Sequence, residues 1–190
     1  MIFKLAAFAM LQAASPEAGP ETGTEAGTEA GPVPPTPPPA PPQCEGANHA
    51  AFDFWVGEWD VYRTGTETKV AESRIEKVSE GCAIRESWMP LRGGGGSSLS
   101  AYDPATGRWH QLWVGQAPGR VFFESGPHQG AMVLTGYWGK DAQGNPSLVR
   151  MSYTVDEQGW VRQYGQASSD HGQAWNDSFD LTYRSKDPAQ

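Results

Sequence analysis

Glu86 is the residue from which any chemistry in this chain would start. In "CAIRESW" (residues 82–88) Cys82, Ile84, Glu86 and Trp88 share one parity, and Ala83, Arg85 and Ser87 share the other. The first set is the apolar one, so a strand here turns Glu86 inward with its neighbours. A buried carboxylate without partners is costly, so Glu86 must be hydrogen-bonded, charge-paired, protonated or turned to a cavity. Two amides join it by the same reasoning. In "RWHQLWV", Gln111 alternates in phase with Trp109 and Trp113; in "VRQYG", Gln163 is in phase with Val161 and Gly165.

Parity allows two readings of this set. In one, a lumen is walled by Trp88, Tyr102 and Trp113, with Glu86, Gln111 and Gln163 orienting a small apolar or amphipathic ligand. In the other, the same groups form a satisfied network in a filled, non-catalytic module, with Arg150 answering Glu86. The alternation of Met151 and Tyr153 works against that pairing. A third use, Glu86 as a general acid/base, lacks a second catalytic group at a recognisable spacing. "GGGGSS" is followed by no Gly-Lys-Ser/Thr and is no phosphate loop, and no Ser or Cys nucleophile motif is present. No catalytic residue is assigned. His49, His110, His128 and His171 are scattered without ligand spacing, so no metal, haem or other cofactor is expected.

The elements that position these groups are strands. "FDFWVGEWDVYR" (residues 52–63) alternates from Trp55 through Gly57, Trp59 and Val61. Turn signals then recur at Gly65, at Ser79–Gly81, at Gly93–Gly96 and in "YDPATGRW". They continue at "GQAPG", "SGPHQG", "GKDAQGNP", "DEQG" and "SSDHG". Nine turns imply about ten strands, and no helical repeat intervenes, which leaves an antiparallel meander. An all-β, up-and-down barrel of about ten strands removes its own edges; a two-sheet sandwich is the alternative. In "YDPATGRW" and "SSDHGQAW", Asp103 and Asp170 read as turn-capping residues rather than catalytic ones.

Composition divides the chain. Residues 1–14 carry Lys4 and the apolar run "LAAFAML", the pattern of a cleaved signal peptide and too short to span a bilayer. Residues 15–47 are an acidic and Pro-rich linker whose composition predicts disorder, and residues 48–190 form the barrel domain. Of the net charge of −8, five negative charges come from Glu17, Glu21, Glu25, Glu29 and Glu45. The remainder is mildly acidic without a Lys/Arg cluster, so nucleic acid is excluded as a partner. No transmembrane span is expected in the mature protein. Cys44 lies just before the first strand and Cys82 opens the third, and these two strands begin at one end of a meander. A disulfide there is worth about 4 kcal/mol in the chain-entropy model; a free Cys44 and a buried Cys82 are the alternative.

Taken together, "FDFWVGEWDV", "GCAIRESW", "YDPATGRWHQLW", "MVLTG", "VRQ", "SSDHGQAW" and "FDLTYR" resemble a bacterial family of secreted proteins of unknown function, over residues 52–184. The chain departs from that pattern at Gln166, where Glu is expected, and at His171, where Gly is expected. The G-x-W of Gly57 and Trp59 is similar to that of calycin barrels, the lipocalin and fatty-acid-binding group. The resemblance implies a calycin-like barrel, a periplasmic or secreted location, and Trp59 closing one end with Arg184 lying across its ring. It implies no activity.

Overall fold

The computed structural model describes residues 44–187. The expected signal peptide and nearly all of the expected linker lie outside them. Ten strands follow in order: β1 (Gly57–Arg63), β2 (Lys69–Val78), β3 (Ala83–Pro90), β4 (Gly96–Asp103) and β5 (Arg108–Val114). Then come β6 (Val121–His128), β7 (Ala131–Lys140), β8 (Pro146–Val155), β9 (Val161–Ser168) and β10 (Asn176–Ser185). Each strand pairs antiparallel with the next, and β10 pairs with β1 to close the barrel. The sandwich alternative is thereby set aside. Closure leaves no open sheet edge for a foreign strand to pair with.

All nine expected turns join the strands where glycine, proline and aspartate cue them. Asp103 accepts the Ala105 N–H at 2.8 Å, and Asp170 accepts those of Gln173 and Ala174 at 3.0 and 2.9 Å. These amide donors hold both carboxyls below the ordinary aspartate range, as befits structural caps. His171 takes a positive φ of 60°, the conformation that a glycine would adopt without strain.

The entry to the barrel departs from a simple strand. Asp53–Trp55 form a 3₁₀ turn, preceded by the short helix α1 (Ala47–Ala50), and β1 starts only at Gly57. Phe52 and Trp55 are fully buried there. Phe52 stacks on Trp55 at 4.8 Å and meets Trp109 and Tyr153 edge-on at 5.8 and 5.0 Å. This aromatic corner seals the end of the barrel at which the odd-numbered strands begin. Cys44 is tied to Cys82 at the same end, across a sequence separation of 38. Cys82 sits in the turn before β3 rather than on the strand, and the cap begins a few residues ahead of residue 48.

Trp59 belongs to this sealed end. Gly57 has φ +152°, and a Cβ there would lie 3.2 Å from the Trp59 ring, so the G-x-W spacing lets the indole fold back on the backbone. The indole N–H donates to the Trp55 carbonyl at 3.0 Å. Arg184 does not lie across this ring. Trp59 is opposite Ser185 in the register, while Arg184 is opposite Asp60 and therefore points to the outer face. There it lies over Tyr62 and Trp160, at 4.3 and 4.6 Å, and forms a two-pronged pair with Glu67 at 2.7 and 2.9 Å.

Among the described residues no helix is long and apolar enough to cross a membrane.

Candidate functional site

The opposite end is open. A cavity of about 230 Å³ runs from the middle of the barrel toward the ends of β3, β5 and β7. Its polar floor, Glu86, Gln111, Tyr153, Gln163 and Tyr183, comes from five strands. Glu86 on β3 is 6 % exposed and faces Ser98 directly across the β3–β4 ladder and Ser73 diagonally on β2. Its carboxylate accepts hydroxyl protons from Ser98 at 3.0 Å and Ser73 at 3.3 Å. Burial pushes the Glu86 carboxyl up to about 7, and the two serine hydroxyls only partly oppose that rise.

The amides are fixed in the same way. Gln111 on β5 donates to the Ser100 hydroxyl at 3.0 Å. Gln163 on β9 donates to the Tyr153 hydroxyl at 2.8 Å and accepts from Tyr183 at 2.7 Å. Desolvation drives both phenols well above their ordinary pKa, so they act as neutral hydrogen-bonding groups. The inner surface is thus a chain of oriented hydroxyls and amides around one carboxyl. Among the described residues, no Lys, Arg or His lines the cavity.

Aromatic side chains form the walls. Trp88 and Trp113 are half-buried, and Trp138 on β7 keeps 40 % of its surface exposed at the rim. Trp138 packs against Trp113 at 6.3 Å and edge-on to Phe123 at 6.1 Å. Two glycines make room for this wall. A Cβ on Gly96 would lie 2.5 Å from the Trp113 ring, and one on Gly165 would lie 2.3 Å from Phe179. The glycine quartet is therefore more than a turn: its last member is a strand position against which an indole lies.

Glu86, Trp88, Gln111, Trp113 and Gln163 all line this one cavity. Tyr102 does not. It shares the inward parity of Ser98 and Ser100 but lies at the far end of β4, in the sealed half. There its hydroxyl accepts from Asn48 at 3.2 Å and His49 meets its ring edge-on at 5.1 Å. The Arg150–Glu86 pair is not formed either. Arg150 points outward over Trp175 at 4.2 Å and donates to Gln166 at 2.7 Å.

Sequence reasoning missed Phe123, Trp138, Phe179, Leu181 and Tyr183, all of which line the cavity. The signal was present. "FDLTY" alternates Phe179, Leu181 and Tyr183 against Asp180 and Thr182, and "MVLTGYW" carries Met132, Leu134 and Trp138 in phase. Gly96 and Gly165 offer no such signal, because parity is silent about a residue without a side chain.

His110 and His171 are engaged at the surface, by Thr106 and by Tyr137. Among the described residues no group of three or more His, Cys, Asp or Glu is placed to hold a metal ion. No protein-family model matches the chain, and no curated protein matches it.

Proposed function

We propose that this chain is an exported, lipocalin-like barrel that binds a small apolar or amphipathic molecule in its lumen. The observation that carries the reading is the cavity of about 230 Å³, closed at one end by Phe52 and Trp55 and rimmed at the other by indoles. A lumen filled by its own side chains would leave no such space, since interiors pack at near-crystalline density. Few convergent polar groups in an aromatic wall orient a ligand without demanding many hydrogen bonds from it. Export is supported by the short apolar N-terminal run and by the Cys44–Cys82 disulfide, which persists in oxidising compartments. The likeness to secreted calycin-type proteins supports the same assignment.

Native mass spectrometry of the purified protein, paired with indole fluorescence across fatty acids, quinones and aromatic compounds, tests the reading. A co-purifying small molecule or a saturable fluorescence change is expected. An unliganded mass together with emission indifferent to every compound overturns it.

A second reading, a non-catalytic interaction module of the cell envelope, is favoured by one observation. On the outer wall Leu99, Leu112 and Phe122 lie in one cross-strand row, with Leu99 and Phe122 exposed by 48 % and 61 %. Replacing Phe122 with Lys would remove an assembly of that kind and leave lumen binding intact.

A further inference from the structure

The binding reading leaves open what chemistry the lumen selects, and Glu86 narrows it. An ionised carboxylate offers about four lone-pair sites. Glu86 is given two hydroxyl donors, from Ser73 and Ser98, and among the described residues no cation. The arginine next to it in sequence and the one proposed to answer it are both turned away. Arg85 points outward and pairs with Glu76 at 2.8 Å, and Arg150 is held outside on Trp175. A buried carboxylate is stabilised by a counter-charge far more than by neutral donors. Among the described residues, none supplies one at the lumen.

The walls favour the same sign of charge. Trp88, Trp113, Tyr153 and Tyr183 surround the cavity, and the faces of indole and phenol rings attract cations. An anionic headgroup would meet a carboxyl, two neutral phenols and π-faces, with no positive partner.

Resting on the proposed binding role, we propose that the lumen selects an organic ammonium ion, a small apolar body whose N–H⁺ group docks on the Glu86 carboxylate. The ammonium fills the unused lone pairs of Glu86, and the body lies among the indoles toward Trp138. Docking requires Glu86 ionised, so binding displaces a proton that the empty site holds near neutral pH. The titratable groups facing Glu86 are Tyr153 on β8 and Tyr183 on β10, both neutral throughout this range. From β2 and β4 it meets serine hydroxyls, from β5 Gln111, and from β9 Gln163. Glu86 is thus the group whose ionisation sets the pH dependence.

The test uses three probes of one shape: phenethylammonium, phenethyl alcohol and phenylacetate, titrated calorimetrically into the whole protein. Above pH 7 the ammonium is expected to bind roughly 10- to 100-fold more tightly than the alcohol, the span of a charged over a neutral hydrogen bond. Phenylacetate is expected to bind weakest. Below pH 7 the ammonium's affinity falls by about tenfold per pH unit, with proton release in buffers of differing ionisation enthalpy. Glu86→Gln, which keeps size and hydrogen bonding, brings ammonium and alcohol to equal affinity. The wild-type comparison and its pH profile need no variant, so they decide the matter even if Glu86→Gln fails to fold. An alcohol that binds as tightly as the ammonium overturns the ammonium selection and leaves the binding role standing. Failure of all three probes to bind overturns the selection too and counts against the pocket itself.

Discussion

At the sealed end of the barrel Trp55 has no exposed surface and stacks on Phe52, whereas at the open end Trp138 keeps 40 % of its surface in solvent. Both are indoles on the inward side of one cylinder, yet one is packing and the other is wall. The difference lies in what covers them. α1 and the 3₁₀ turn of Asp53–Trp55 cross the first end, and no corresponding segment among the described residues crosses the second. The polar floor sits between them. An end sealed from its own chain can be optimised for density, while an end facing solvent must trade density for access.

The contrast is broken most directly by removing one indole from each end. Trp55→Ala is expected to lower unfolding stability by about 3–5 kcal/mol, the cost of emptying a packed site. Trp138→Ala should cost less than about 1 kcal/mol while weakening ligand-induced fluorescence change. Urea denaturation of both variants, set beside titrations of each, reads the two effects separately. Equal losses of stability would mean the ends do not differ.

A slightly smaller effect is expected from the disulfide. Releasing Cys44 from Cys82 frees a loop with a sequence separation of 38 and should cost about 4 kcal/mol. Thermal melts with and without reductant measure it. Affinity at the open end should be unchanged below the melting range, because the link lies at the other pole.

A pH-dependent effect sharpens the comparison at the floor. The Glu86 carboxyl titrates near 7 in the folded protein, against an ordinary 4.5 when unfolded. Between these values the unfolded chain has released a proton that the folded chain still holds. Stability is therefore greatest below that window, declines as pH rises through it, and levels off above about 7, with a total loss on the order of 3 kcal/mol. Asp103 and Asp170 behave oppositely, since their turn amides favour the ionised form and lose that contribution as acid protonates them. Glu86→Gln should flatten the near-neutral decline, which denaturation at a series of pH values would show.

Much of this arrangement was legible before coordinates. Glycine and aspartate mark the turns through backbone demands that few residues meet, and alternation then sorts each strand into two faces. That reasoning brought Glu86, Gln111 and Gln163 inside together. It failed where height along the axis mattered, as for Tyr102, whose parity is inward but whose position is at the sealed pole. It failed again for Arg184, because a resemblance to other barrels names a partner while the register decides which ring is reached. Trp55 was misplaced more mildly, since a 3₁₀ turn and a strand end can bury the same side chain.

The seam between β1 and β10 has a consequence for how the molecule comes to exist. The first strand cannot find its second neighbour until the last one is available, so the cylinder shuts through its most distant contact in sequence. Such long-range pairing carries a large loop-closure cost and makes for slow folding. Until then β1 waits with a bare flank able to recruit a foreign strand. The Cys44–Cys82 link asks only for the early part of the chain, and can hold that part in shape while the rest arrives.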